Sequence, residues 1–178
     1  VTVDEIKSMD QAAESMYLPY DKRKNVKLQF QDFEQLPKMD LASIDQSKFP
    51  LLLYRQQVNK QADTVMVDFM FPEGNTLDQL KADYEFYEPI TTHDSSLSKA
   101  IYAIIAARIG KDKQAYNFFS QAVQTDLMDV HHNTKNGIHA GSLGAAWEGI
   151  MYGFVGIVNN ATSFSLKPHL PVTWNCVK

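Results

Sequence analysis

The chain has 178 residues, of which 44% are hydrophobic and 21% charged, a balance that suits one ordinary domain with a packed core and argues against intrinsic disorder. A net charge of -4, a pI near 5.7 and no run of Lys or Arg leave no basic stripe of the kind a nucleic-acid binder needs. The single cysteine, Cys176, cannot form an internal disulfide, no Cys/His cluster has structural-zinc spacing, and no apolar run approaches the roughly 18 residues of a spanning helix.

The chain opens without a basic segment leading into an apolar one, so no signal peptide is visible, and Val1 stands where an initiator Met would be. That fits a processed chain or a piece of a longer one. Thr2 to Tyr17 reads as a helix: Val3, Ile6, Ala12, Ala13 and Met16 recur at three- and four-residue steps, and Asp4 and Glu5 sit where the helix dipole favours anions. Pro19 ends it. Tyr20 to Pro50 is polar, carries Pro37 and Pro50 and has little periodicity, so it reads as a long loop, a feature often tied to function. Leu51 to Phe71 reads as the strongest helix, with Leu52, Tyr54, Val58, Ala62, Val65, Met66 and Phe69 as its buried stripe and Pro72 as its stop.

After a turn at Pro72 to Asn75, Thr76 caps a helix running to Tyr87 with Leu77, Leu80, Tyr84 and Tyr87 inward. A polar stretch, Glu88 to Ser96, leads to an almost wholly apolar helix, Leu97 to Ile109, stopped by Gly110. Lys111 to Gln124 is the next helix, with Ala115, Phe118, Phe119, Ala122 and Val123 inward. The loop Asp126 to Gly141 holds three of the five histidines, and Ser142 to Asn159 reads as a glycine-bearing apolar helix. From Ser165 the text becomes extended. More than half of the residues are expected in helix. Short connections at Pro72 to Asn75 and Gly110 to Lys111 would lie at one end of antiparallel helix pairs, and the long polar loops at the other, where function gathers.

Three stretches carry candidate chemistry. In Tyr54 to Asp63, Lys60 and Gln61 interrupt an apolar pattern; a solvated face and a polar pocket wall both account for them. In Tyr87 to Ser98, one of Asp94, Ser95 and Ser96 would cap the next helix, yet capping leaves Glu88, Thr91, Thr92 and His93 unexplained. Donors at a helix N-terminus also form an anion site. A Ser–His–Asp triad here is disfavoured, because no Gly-x-Ser-x-Gly elbow occurs. In Asn136 to Trp147, Ser142 reads as a helix cap, and His139 is open to a structural or a ligand-binding role. The tandem His131 and His132 lack a third ligand at metal spacing and read as loop.

Together these stretches, as YRQQVNKQADTV, YEPITTHDSSLS and NTKNGIHAGSLGAAWEGI, resemble glycoside hydrolase family 65, the inverting disaccharide phosphorylases acting on maltose, kojibiose, trehalose and related α-glucosides. MYLPYD at Met16 to Asp21 fits as well, and FSLKPHLPVTW resembles the join to the family's small C-terminal β domain. The resemblance implies an all-α fold, part of an (α/α)6 barrel, with residues 1–163 as the C-terminal part of the catalytic barrel and 164–178 as the start of the β domain. It implies phosphorolysis: a general acid protonates the glycosidic oxygen while inorganic phosphate attacks the anomeric carbon from the opposite face, so that phosphate replaces the base and water of an inverting glycosidase. On this resemblance Lys60, Gln61 and Glu88 are substrate-binding residues, and Ser95, Ser96, His139 and Ser142 form the phosphate cradle. Lys60 would then be a cation on a buried helix face that meets an anion.

The family's general acid is the glutamate of a Gly-Pro-Asp-Glu motif, and no such motif occurs here, so no catalytic residue is assigned in this chain. Members are also several times longer. The chain is expected to be a fragment, close to inactive alone, since acid catalysis is worth about 10²–10⁴-fold. It is expected to expose apolar surface and to self-associate as a homo-oligomer. The partners implied are a disaccharide and phosphate, with no other cofactor, no metal, no nucleic acid and no membrane, in the cytoplasm. AGSLGAAW is nearer to the kojibiose and trehalose branch than to the maltose one, but no disaccharide is assigned on it. Glu88 lies where a family hydrolase could hold a carboxylate base, although a Glu before Pro also belongs to the phosphorylase motif. A hydrolase using water, or a helical interaction module, remains the alternative; the latter predicts a fixed internal repeat, and none is present. If the motifs close over one site, His93 and His139 should share one end of the helical array, within a ligand's width in one concave patch.

Overall fold

The computed structural model describes residues 1–44, 50–160 and 162–178, with the side chains of Pro50 and Leu52 also left undescribed, so Leu52's place in the expected stripe lies outside the described residues. In order the chain forms α1 (Val3–Ser15), β1 (Tyr20–Asp21), β2 (Val26–Lys27), α2 (Pro50–Leu53), α3 (Thr64–Met70), α4 (Leu77–Tyr87), α5 (Ser98–Arg108), α6 (Asp112–Val123), α7 (Ala140–Glu148), a π-helical turn (Gly149–Phe154), β3 (Ile157–Asn159) and β4 (Phe164–Leu166). Short 3-10 turns stand at Phe33–Gln35, Leu41–Ser43, Glu88–Ile90 and Thr134–Asn136. Even with the 3-10 and π turns included, helix makes up 49% of the described residues, so the expected α-helical content of more than half is not reached.

α5 is the centre. Ala100 to Ala107 are all buried, and α3, α4, α6, α7 and the π turn pack around it, which is why its sequence is apolar on every face. Tyr84 and Tyr87 of α4 and Phe118 and Phe119 of α6 fill the flanks. Gly110 adopts φ +78°, a left-handed stop that turns α5 into α6 within three residues. Arg108, at the C-terminal end of α5, shares a pocket of about 150 Å³ with Pro72, Asn75, Leu77 and Leu80, so the two short connections do lie at one end.

Four expectations are corrected. Leu51 to Phe71 is not one helix: α2 stops at Leu53, α3 starts at Thr64, and Asn59 between them forms a parallel bridge with Thr91. Its N–H donates to the Ile90 carbonyl and its carbonyl accepts from Thr92 N–H, both at 2.8 Å, which takes both backbone groups away from helical bonding. Second, Tyr20 to Pro50 is not a bare loop in its described part. β1 and β2 pair antiparallel, and Val26 and Phe33 are core residues, Phe33 meeting Phe86 and Tyr87. Third, Leu77 is 50% and Val123 38% exposed, so both leave their predicted inward stripes. Fourth, Ser142 to Asn159 divides: α7 begins at Ala140, the turn from Gly149 widens to π, and β3 pairs antiparallel with β4. Extended structure thus begins before Ser165, and the division between 163 and 164 falls at the start of the hairpin's second strand. Beyond it, Trp174 packs against Phe119 and Phe154.

α1 forms as expected. Thr2 and Glu5 make a reciprocal capping box, yet none of its residues is buried. Val3, Ile6 and Met9 face solvent, as do Met16, Tyr17 and Leu18, which is the exposed apolar surface expected of part of a larger core. Cys176 is exposed and free. No helix among the described residues is long and apolar enough to cross a membrane.

Candidate functional site

The connections that lead into α5 and α7 meet at the end of α5 opposite Arg108. The bridge between Asn59 and Thr91 ties the first stretch to the second, reinforced by Thr92 Oγ1 donating to the Lys60 carbonyl at 3.3 Å. The third stretch abuts the second at Gly141, where a β-carbon would come within 2.5 Å of Leu97 Cδ2, so the start of α7 packs directly against the residue that precedes α5. The three stretches are therefore neighbours in one row.

A cavity of about 410 Å³ opens along the first stretch. Tyr54, Gln56, Val58, Asn59, Lys60, Gln61 and Asp63 line it from one side and Gln29, Phe30 and Phe33 from the other. Lys60 is exposed and Gln61 half-buried at its wall. The expected cation on a buried helix face is thus corrected: Lys60 stands on an irregular segment, because Asn59 has broken the helix. Burial pushes the Asp63 carboxyl up despite the Gln29 amide donating to it at 2.6 Å. Burial, then the Asp94 and Asp63 charges, push the Tyr54 hydroxyl up. Gln29, Phe30, Tyr54 and Asp63 were not foreseen as site residues; the aromatic pair Phe30 and Phe33 inside a polar loop was the available signal.

Glu88 is half-buried on the 3-10 turn after α4, and its charge pushes the buried Tyr84 hydroxyl up, after burial itself. Ser95 and Ser96 precede α5 and are half-buried. They do not cap the helix as expected, nor does Asp94. Leu97 occupies the cap position and no side chain bonds the first helical amides there, while Ser95 Oγ accepts only from Leu97 N–H, at 3.3 Å. α7 is the same: His139 holds the cap position without a side-chain cap bond. Ser142, expected as that cap, lies inside the helix, 2% exposed, and its hydroxyl donates to the Ala122 carbonyl at 2.9 Å. Two helix N-termini without side-chain caps therefore stand side by side.

His93 and His139 both stand at this end of the array, as expected, but they differ in environment. His93 points inward between Tyr102 and Phe118, with ring centroids 4.8 and 5.0 Å away. Its Nδ1 is 2.9 Å from Ser98 Oγ, Nε2 is buried with no partner among the described residues, and its φ of +57° is a strained conformation for a non-glycine residue. Among the described residues no carboxylate completes a triad with this pair, and Ser98 is fully buried. His139 instead is 21% exposed at its side chain and bonded to Asp126. His131 lies 6.0 Å from His139, ring to ring, and no group of three His, Cys, Asp or Glu that could hold a metal occurs among the described residues.

Burial first, and the Lys99 cation second, push His93 down to about 4. An unfolded histidine titrates near 6.5, so below that pH the unfolded chain takes up a proton that the folded chain refuses. Stability from this group is present above about 6.5 and falls as pH drops toward 4. Denaturant midpoints of the full-length protein should decline more steeply between pH 7 and 5 than those of a His93→Asn variant, chosen because Asn tolerates the left-handed backbone.

The family model of the glycosyl hydrolase family 65 central catalytic domain matches residues 1–148. The chain is 40% identical over 181 aligned residues to the alpha,alpha-trehalose phosphorylase of Geobacillus stearothermophilus, covering 98% of this chain and 24% of that protein. It is 44% identical over 118 residues to the kojibiose phosphorylase of Escherichia coli K12, covering 66% of this chain and 16% of that protein, and 29% identical over 167 residues to the maltose phosphorylase of Bacillus subtilis, covering 90% and 22%. A solved chain described as a kojibiose phosphorylase from the human microbiome superimposes with a TM-score of 0.87 at 37% identity, over 98% of this chain and 24% of that one. The helical fold and the motifs thus match a glycosyl hydrolase central catalytic domain. The chain is a member of glycoside hydrolase family 65 and spans about a quarter of the length of the trehalose phosphorylase and the solved chain it matches.

Proposed function

We propose that the protein to which these residues belong cleaves an α-glucosidic disaccharide by phosphorolysis with inversion, releasing a glucose 1-phosphate, and that this segment supplies the phosphate-facing end of an (α/α)6 barrel pocket. One observation carries the reading: α5 and α7 begin side by side with no side-chain cap, flanked by Ser95, Ser96 and His139. The aligned helix dipoles favour an anion, and hydroxyl and imidazole groups add hydrogen bonds to it. Ser142, its hydroxyl donating to the Ala122 carbonyl, joins α6 to α7 beneath the cradle. Lys60 and Gln61 serve the sugar from the adjoining cavity, and Glu88 serves it from the 3-10 turn whose Ile90 carbonyl accepts from Asn59 N–H.

In this scheme phosphate attacks the anomeric carbon while a carboxylic acid from outside the segment protonates the departing oxygen, and the two faces of the sugar ring are served by opposite sides of the pocket. The segment alone turns over no disaccharide. The division into barrel residues 1–163 and β-domain residues 164–178, a cytoplasmic location and a homo-oligomeric assembly belong to the same reading, the last supported by the uncovered apolar faces of α1 and Met16 to Leu18. The deciding measurement is glucose 1-phosphate release by the full-length enzyme with and without inorganic phosphate. Cleavage that stops without phosphate is expected; undiminished cleavage by water would establish a hydrolase instead.

A further inference from the structure

We propose that Asp126 is the positioning residue of His139, turning its Nε2 toward the phosphate; this rests on the phosphorolysis reading above. Asp126 follows α6 and His139 immediately precedes α7, thirteen residues apart in sequence, yet one carboxylate holds the histidine at two points. Oδ2 accepts from the His139 backbone N–H at 2.8 Å, and Oδ1 lies 2.6 Å from Nδ1. Those two bonds, the side-chain one first, hold the Asp126 carboxyl below the usual range, so it is an acceptor only and Nδ1 must carry the proton. Nε2 is then the one ring nitrogen left for a ligand: in this tautomer it is an acceptor, suited to the O–H of a protonated phosphate, and it makes no hydrogen bond among the described residues. The backbone bond fixes the residue at the cap position of α7, and the ring bond fixes its rotation, so the imidazole is presented at the helix N-terminus in one orientation and one tautomer. This is the arrangement by which a carboxylate orients a histidine in metal and catalytic sites.

Thr134 N–H donates to Asp129, not to Asp126, and among the described residues the Asp126 carboxylate hydrogen-bonds only with His139, so its geometry serves that residue. His131, tilted against the same ring, makes no hydrogen bond to it among the described residues.

The test is a double-mutant cycle in the full-length enzyme. Asp126→Asn, of the same size, should raise the phosphate KM about tenfold while leaving the disaccharide KM near wild type, and Asp126→Glu should restore part of the loss. In a His139→Ala background Asp126→Asn should cost almost nothing more, because the group it positions is gone. Losses that add in full, or a rise in both Michaelis constants together, would overturn the positioning role and leave Asp126 as a structural support of the loop. Wild-type turnover that needs no phosphate would overturn the phosphorolysis reading itself, and the proposal with it.

Discussion

Replacing His139 by Ala in the full-length enzyme is expected to weaken phosphate use by roughly ten- to a hundredfold, with disaccharide binding little changed. A charge-assisted hydrogen bond is worth about 1.5–3 kcal/mol, and the free Nε2 of His139 at the start of α7 is placed to make one. Because phosphate is the nucleophile, the contact acts in the transition state, so kcat should fall along with affinity. Initial rates at varied phosphate and fixed disaccharide separate the two effects. An unchanged phosphate dependence would place the anion elsewhere in the pocket. Lys60→Ala should behave differently, raising the disaccharide KM, since Lys60 lines the 410 Å³ cavity rather than the paired helix starts.

The second large effect concerns stability at the opposite end. Lys27 Nζ reaches Asp68 Oδ1, Asn75 Oδ1 at 2.7 Å and Asp83 Oδ2 at 3.3 Å, and the Asp68 and Asp83 side chains are both 0% exposed. Lys27 N–H also donates to Asp83 Oδ1 at 2.8 Å, and Tyr87 Oη donates to the Lys27 carbonyl at 2.7 Å. The network thus pins β2 to α3 and α4. Burial pushes the Asp68 carboxyl up to about 7 even with Lys27 beside it. Lys27→Met would leave two buried carboxylates facing each other without a cation, a change that costs about 3–5 kcal/mol where a buried pair is broken. The denaturant midpoint of the full-length protein should fall accordingly. The deficit should be larger at pH 8 than at pH 5, because protonating one carboxylate removes the repulsion. An equal deficit at both pH values would mean that the cation's packing, not its charge, carries the effect.

Much of the helical frame was legible locally. Thr2 and Thr76 mark their helices as caps, Gly110 and Pro72 mark stops, and the unbroken apolar run from Ala100 to Ala107 announces a helix surrounded on all sides. These signals act over one or two turns, so they survive without knowledge of neighbours. The family motifs were legible for a related reason: their residue types stand in fixed order along the chain, and order needs no coordinates.

Other features were decided only by contacts between distant segments. Tyr54 to Asp63 carries a helical apolar period, and Val58 and Ala62 are indeed buried, yet Asn59 bonds to the chain on both sides of Thr91 and the helix gives way. Lys27 and Phe33 sit in a stretch with no period at all, and become core-facing because Asp68, Asp83, Phe86 and Tyr87 lie across from them. Asp126 read as the first residue of a polar loop; only folding brings it to His139 and makes it that residue's acceptor. Local backbone preference is worth tenths of a kcal/mol to about 1 kcal/mol per residue, whereas a buried polar group left unpaired costs about 1–3 kcal/mol. Where the two disagreed, in the segment around Asn59 and in the loop around Lys27, long-range pairing set the structure, and the residues by themselves set it where no such partner intervened.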